Sequence, residues 1–307
     1  MTNTLVVLVG PTGIGKTELS LRLAKSLQTE IISSDSRQIF KELKIGTAAP
    51  TPDQLEAVPH HMVATHSVND YYNAYEFEQD VLKLLAQLFD RHKNVVMTGG
   101  SMMYVDAVCK GIDDLPTIDP ELRQEVMDLY NKEGLDAVRR QLKMLDPEFY
   151  NQVDLKNHKR VMHAVEVCLM TGKPYSTLRT NTDRKRPFNI LKIGLDMDRT
   201  ELYDRINRRV DIMVEDGLFD EAKAFYHLKN SNALNTVGYK EIFAHWDGEY
   251  DADTAIELIK RNSRRYAKRQ LSWFRRDKDM NWFHPKDIDK IINFVTSELN
   301  RFNPPGQ

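Results

Sequence analysis

The chain has 307 residues and a mass of 35.6 kDa, with 41% hydrophobic and 29% charged residues. That is long enough for two domains and too apolar for a disordered protein. Lys and Arg number 43 against 45 Asp and Glu, a formal net charge of −2, so the total by itself points to no polyanionic partner. Two cysteines, Cys109 and Cys168, are too few for a disulfide framework or a structural zinc site, and no apolar run approaches the roughly 20 residues of a membrane span. A soluble, cytoplasmic protein without membrane association is the expectation.

In chain order, residues 5–9 (Leu-Val-Val-Leu-Val) form a short, continuous apolar run, the pattern of a strand covered on both faces. Leu19, Leu23 and Leu27 then recur at i, i+4, i+8 and predict a helix over 17–27. Residues 30–34 and 94–98 read as further strands, with a helix over 75–89 between them, and this alternation argues for a parallel sheet with flanking helices. From about residue 113 helical patterns dominate, up to a basic, Thr/Asn-rich stretch at 177–187. A strand-like segment at 190–195 returns the chain to the sheet. The division expected is an α/β core of 1–112 and 189–300, an inserted all-helical domain of 113–188, and a flexible tail of 301–307. Residues 199–299 read as mostly helical, with a loop around 230–239.

Gly10, Pro11, Thr12, Gly13, Ile14, Gly15, Lys16 and Thr17 satisfy G-x-x-x-x-G-K-[ST] between the first strand and the first helix. In that context the loop curls its N–H groups around an anion, Lys16 neutralises outer phosphate oxygens, and the Thr17 hydroxyl is placed to ligate Mg2+. The core is therefore expected to be P-loop NTPase-like. Residues 94–100 end without the carboxylate that orders magnesium in many nucleotide hydrolases, which counts against a motor or switch ATPase. Asp35, just past the second strand, is a candidate general base; a cap of the next segment or an outer ligand of magnesium are the alternatives. His60, His61 and His66 lack a Cys or carboxylate to complete a metal set, so turn and core roles are expected.

Charge is unevenly spread. Residues 111–136 hold eight acids and two bases. Residues 259–278 hold nine cations, Lys260, Arg261, Arg264, Arg265, Lys268, Arg269, Arg275, Arg276 and Lys278, against Asp277 alone. At i, i+4 spacing they form two adjacent stripes on a helix whose Ile256, Ile259, Tyr266 and Trp273 supply an apolar face. A second basic zone spans 155–186: Lys156, Lys159, Arg160, Lys173, Arg179, Arg184, Lys185 and Arg186 against Glu166 and Asp183. Two such zones suggest a clamp on a nucleic-acid backbone. Arg205, Arg208 and Arg209 share one predicted helix, either to stabilise a leaving diphosphate or to pair with Glu201 and Asp204.

These motifs, with residues 35–40, 45–50, 59–61, 99–104, 202–211, 237–239 and 268–273, occur in an order that resembles the bacterial tRNA dimethylallyltransferase family over residues 5 to about 284. The resemblance implies transfer of a dimethylallyl (isopentenyl) group from dimethylallyl diphosphate to N6 of adenosine 37 in tRNA, with release of diphosphate. It implies that the P-loop holds that diphosphate rather than ATP, that Thr17 lies near Mg2+, that Asp35 is the general base and that Lys16 and Arg209 support catalysis. It places near tRNA Asp35, Ser36, Arg37, Gln38, Ser101, Arg123, Lys159, Arg160, Val161, Met162, His163, Val237, Gly238, Tyr239, Lys240, Arg265, Lys268, Arg269, Gln270, Trp273 and Arg275. The helical insertion would close on the anticodon stem-loop around A36 and A37, with the target base flipped out, and the enzyme would be a monomer. Gly13, Ile14, Phe40 and residues 101–103 depart from the commonest family residues without removing a charge or hydroxyl the chemistry needs. The rival readings are a small-molecule kinase using ATP, an isopentenyltransferase acting on free AMP, and a non-catalytic RNA-binding switch.

Overall fold

The computed structural model describes residues 2–179 and 183–302. Its elements are β1 (Thr4–Val9), α1 (Lys16–Ser26), β2 (Ile31–Ser33), α2 (Pro52–Ala57), β3 (His60–His61), α3 (Ala74–Phe89), β4 (Asn94–Gly99) and α4 (Met102–Lys110). Five helices follow, α5 (Pro120–Glu133), α6 (Leu135–Leu145), α7 (Pro147–Gln152), α8 (His158–Thr171) and α9 (Tyr175–Leu178). The chain then runs through β5 (Asn189–Leu195), α10 (Arg199–Glu215), α11 (Leu218–Ala224), α12 (Tyr239–Trp246), α13 (Ala252–Phe274), β6 (Asn281–Phe283) and α14 (Ile288–Phe302). It divides into two compact units, Met1–Cys109 with Lys185–Gln307 and Lys110–Arg184.

The first unit is built on a six-stranded sheet of order β3-β2-β4-β1-β5-β6, with every pairing parallel. All six residues of the central strand β1 are buried. Successive side chains of a strand point to opposite faces, so its apolar run feeds two cores. Leu5, Val7 and Val9 join Phe77, Val81, Leu85 and Leu88 of α3, while Val6 and Leu8 join Leu19 and Leu23 of α1 and Ile291, Val295 and Leu299 of α14. Two strands were not foreseen from the sequence. Both β3, with two residues, and β6, with three, are too short to carry a period-2 pattern.

The histidines at β3 have structural partners. Glu30, nearly buried at the start of β2, accepts from Nε2 of His61 at 2.6 Å and from Nε2 of His92 at 2.9 Å, with Arg91 at 3.3 Å. These donors hold the carboxyl below its usual pKa against the opposing effect of burial. No group of three or more His, Cys, Asp and Glu among the described residues could hold a metal ion.

The second unit is helical and has its own core of Val126, Val138, Leu142, Phe149, Val161, Met162, Ala164 and Val165. Buried Asp146 accepts from the backbone N–H groups of Phe149 and Ser176 and from the Ser176 hydroxyl, tying α7 to α9. Arg186, counted with the second basic zone, belongs to the first unit and is internal. It donates to Glu78 at 2.5 Å and to the carbonyls of Ala107 and Val108, so it is a packing cation and not part of a basic surface. Helix α14 continues through Phe302, where a tail had been expected from residue 301; residues 303–307 and residues 180–182 of the basic stretch lie outside the described residues. No helix among the described residues is long and apolar enough to cross a membrane.

Candidate active site

The turn between β1 and α1 is the motif at residues 10–17. Gly15 stands at the N-cap with φ 103°, a left-handed conformation that glycine adopts without strain, and no side chain caps the helix. The first amides of α1 therefore keep their hydrogen-bonding capacity for an anion, which the helix dipole also favours. Thr12, Gly13, Gly15, Lys16 and Thr17 line a cavity of about 450 Å3. Ile14 is buried in the core beneath it. Gly10 and Pro11 contribute through their carbonyls, which both accept from Lys16 Nζ at 2.9 Å. Burial first, and then the neighbouring Arg209, lower the Lys16 pKa to about 7 against the opposing charge of Asp35.

The facing wall of the cavity is α10. Arg205, Arg208, Arg209 and Ile212 all line it, and Arg205 Nε donates to the Gly13 carbonyl at 2.9 Å. Burial depresses the pKa of Arg209, with Asp35 opposing the shift. These arginines therefore face the P-loop across one cavity; Glu201 is paired instead with Lys286.

The floor comes from the carboxyl ends of β2 and β4, where an open parallel sheet places its ligands. Asp35 Oδ1 accepts from the backbone N–H of Arg37 at 2.9 Å and of Gln38 at 3.4 Å. The residue thus caps the turn after β2 with one oxygen, leaving Oδ2 as the oxygen able to take a proton. Gln38 braces this turn from below: its Nε2 donates to the carbonyls of Thr47 and Ala48, and its Oε1 accepts from Ser33. Thr98 stands on β4 where a carboxylate is absent, and its buried Oγ1 makes no hydrogen bond among the described residues. A small hard cation that keeps several waters and takes one or two protein oxygens plus phosphate oxygens suits this donor set. Thr17 would be the direct ligand, with Asp35 and Thr98 within the same cavity lining.

A second cavity of about 290 Å3 is lined by Asp35, Ser36, Arg37, Ser101, Val237, Gly238, Lys240 and Arg269, among others. Eight residues that the sequence placed near a nucleic acid are thereby brought together from four separate segments. Apolar Ile206, Val210, Met213, Leu218 and Ile259 complete its wall. Thr12, Asp35, Arg209 and Tyr266 line both cavities, so Asp35 stands where a ligand in one meets a ligand in the other. The turn is held in place from both sides: Ser101 Oγ accepts from the Ser36 N–H at 2.8 Å, and Arg37 donates to the carbonyls of Asn232 and Ala233.

Tyr266 was read from the sequence only as part of an apolar face. Burial, with the charge of Asp35 second, pushes its pKa up to about 12, so the hydroxyl stays protonated beside the carboxylate; it also shares a hydrogen bond with Ser101. Its four-residue spacing from Gln270 was the available signal. Glu221 was missed altogether. It accepts from the backbone N–H groups of Lys44, Ile45 and Gly46 and from the Tyr239 hydroxyl, and so fixes the 44–48 loop on which Gln38 rests.

Other expected contacts lie elsewhere. Val161, Met162, Tyr239 and Gln270 are buried side chains, 0%, 5%, 0% and 2% exposed; of these Gln270 borders the P-loop cavity. Trp273 donates to Asp106 and Arg275 pairs with Asp196. The two cation stripes of α13 differ along the first two turns of the first stripe, where Lys260 and Arg264 are engaged and Lys268 is not. Lys260 is bound to Asp211 and Glu257, and Arg264 to Asn207, whereas Arg261, Arg265, Lys268 and Arg269 are exposed. In the helical unit Lys159 and Arg160 are exposed, while Arg123 and His163 lie 3.6 and 3.5 Å from the buried carboxylate of Glu166.

Known proteins resemble the chain over nearly its whole length. The chain is 58% identical over 296 residues to tRNA dimethylallyltransferase 1 of Bacteroides fragilis, covering 96% of this chain and 98% of that protein. It is 46% identical over 301 residues to the tRNA dimethylallyltransferase of Christiangramia forsetii, covering 98% and 100%. Among solved structures, the tRNA isopentenylpyrophosphate transferase of Bacillus halodurans matches with a TM-score of 0.72 at 36% identity, over 97% of both chains. A eukaryotic dimethylallyltransferase acting on tRNA matches in fold, with a TM-score of 0.78 at 24% identity over 97% of this chain and 78% of that one. With a family model described as IPP transferase matching residues 38–277, and the loop, Asp35 and the arginine helix gathered around one cavity, the chain belongs to the IPP transferase family.

Proposed function

We propose that the protein transfers a dimethylallyl group from dimethylallyl diphosphate to N6 of adenosine 37 in tRNA, releasing diphosphate. The observation that carries this reading is the position of Asp35 between two cavities, one lined by the P-loop and three arginines, the other by the residues expected to meet RNA. The diphosphate occupies the first cavity and the flipped adenine enters the second. Names of relatives at 46–58% identity support the substrate pair.

The adenine N6 attacks C1 of the allylic chain; the C1–O bond breaks and its electron pair leaves on the diphosphate. An exocyclic aryl amine is a weak nucleophile, so Asp35 Oδ2 takes its proton as positive charge develops. Lys16, Arg209 and the P-loop amides face the oxygens that gain charge, which is stabilisation aimed at the transition state. Arg205 and Arg208 add positive potential to the same wall. Thr17 and the substrate's own oxygens would hold Mg2+, which supplies further neutralisation of the leaving group. Asn94–Gly99 offers no carboxylate for an ATPase-type water-activating shell, consistent with a ligand that is displaced rather than hydrolysed.

RNA affinity comes from exposed cations in both units, Arg261, Arg265, Lys268 and Arg269 on α13 and Lys159 and Arg160 on α8. A free nucleotide would have no use for the second set. The test is incubation with unmodified tRNA and labelled dimethylallyl diphosphate, with AMP and ATP as parallel arms. Label on the tRNA is the expected result; label on AMP alone, or phosphoryl transfer from ATP, would overturn the reading.

A further inference from the structure

We propose that Gln270 is a positioning residue for Lys16, acting through the peptide that joins Pro11 to Thr12. The inference rests on the diphosphate reading above and goes beyond it by assigning a helix residue, expected from sequence to meet RNA, to the phosphate site.

Gln270 lies on α13 and is 2% exposed. Its Oε1 accepts from the Thr12 N–H at 2.9 Å and its Nε2 donates to the Gly100 carbonyl at 2.8 Å. The orientation of the amide is fixed by its neighbours, since a backbone N–H can only donate and a carbonyl only accept. The seat is tight on the β4 side: a Cβ on Gly100 would stand 2.3 Å from Gln270 Nε2, so only glycine leaves room.

The consequence lies at the other end of the same peptide. Its N–H belongs to Thr12 and is held by Gln270; its carbonyl belongs to Pro11 and accepts from Lys16 Nζ at 2.9 Å. A trans peptide is planar, with its N–H and C=O pointing in opposite directions. Fixing the N–H toward α13 therefore fixes the carbonyl toward the lysine. Without the Gln270 acceptor the part-buried Thr12 N–H loses its protein partner, and the peptide becomes free to turn toward the cavity, which removes one of the two carbonyls on which the ammonium rests. Lys16 would then no longer be held at the mouth of the α1 N-terminus before diphosphate arrives, and that loss of preorganisation falls on diphosphate affinity.

A double-mutant cycle tests this, with Mg2+ and dimethylallyl diphosphate titrated calorimetrically into wild type, Gln270→Met, Lys16→Met and the double variant, and tRNA binding measured in parallel. Met keeps the length and packing of Gln while removing both hydrogen bonds. Gln270→Met is expected to weaken diphosphate binding about 10-fold, the upper end of what one hydrogen bond contributes, with tRNA affinity within about 2-fold of wild type. In the Lys16→Met background the same change should cost less than about 2-fold, because residues acting through one another are not additive. Gly100→Ala, which displaces the amide from the opposite side, should reproduce the Gln270→Met result and keeps the test open if that variant folds poorly. An equal cost of Gln270→Met in both backgrounds, or unchanged diphosphate affinity, would overturn the inference while leaving the functional reading intact. Failure of the wild type to bind dimethylallyl diphosphate would overturn both.

Discussion

The lowered pKa of Lys16 predicts that the proposed diphosphate binding is coupled to proton uptake. Its pKa is lowered to about 7 from 10.5, first by burial and then by Arg209. In the ligand-free protein at pH 8 it is therefore about nine-tenths neutral, and at pH 6 about nine-tenths charged. A bound diphosphate places negative charge within reach of the amine and restores the charged form, the expected effect of an opposite charge at close range. Binding must then take up about 0.9 proton at pH 8 and only about 0.1 at pH 6. Apparent affinity stays nearly level below pH 7 and falls about tenfold per pH unit above it, roughly 50-fold between pH 7 and pH 9. Calorimetric titration in buffers of different ionisation enthalpy reads the proton count directly. Lys16→Met, measured identically, subtracts the ionisation of the ligand itself, and Lys16→Arg, which stays protonated, should bind with no lysine-linked slope over pH 7–9. Equal proton uptake by wild type and Lys16→Met at pH 8 would refute the argument. The linkage has a second face: an unfolded Lys16 binds its proton up to about 10.5, so the stability of the ligand-free protein rises with pH between about 7 and 10.5, and that rise should vanish in Lys16→Met.

Three further outcomes are expected. Asp35→Asn keeps an oxygen for the N–H groups of Arg37 and Gln38 but cannot accept the adenine proton, so kcat should fall about 10²–10⁴-fold with both substrates still bound; single-turnover label transfer measures it, and near wild-type rates would remove Asp35 as the base. Glu221→Ala strips the acceptor from three backbone N–H groups and the Tyr239 hydroxyl, and should cost about 3 kcal/mol or more in urea unfolding, with a loss below about 1 kcal/mol counting against a structural anchor. Arg265→Gln should weaken tRNA binding at low salt and reduce the salt slope by about 1, whereas Lys260→Gln, already paired with Asp211, should leave the slope unchanged; equal slopes for both variants would contradict this difference between the two stripes.

Legibility in the sequence followed the range of the interactions. The P-loop is contiguous, and its chemistry depends on residues at most a few positions apart, so residues 10–17 could be placed between a strand and a helix and given a diphosphate to hold. The central strand announced its burial on both faces through five successive apolar side chains, and the cation run at 259–278 announced a charged helix. Asp35 could be singled out because it follows a strand at the ligand-bearing edge of a parallel sheet. Residues that match a family motif could be named, but a motif does not say which way a side chain faces.

What the tertiary structure decided was pairing across distance. Gln270 meets Thr12 across 258 positions, and nothing local marks it as a partner of the phosphate loop rather than of RNA. Glu221 reaches a loop some 175 residues earlier, and Arg186 reaches Glu78 in the core, so one cation left the basic surface to which its neighbours in sequence had assigned it. The helix period alone gave α13 two equivalent stripes; the packing of α10 against it bound Lys260 and Arg264 and left Arg261, Arg265 and Arg269 outside. Local propensity and spacing are written along the chain, whereas the satisfaction of buried charges and amides depends on which segments the sheet order brings side by side.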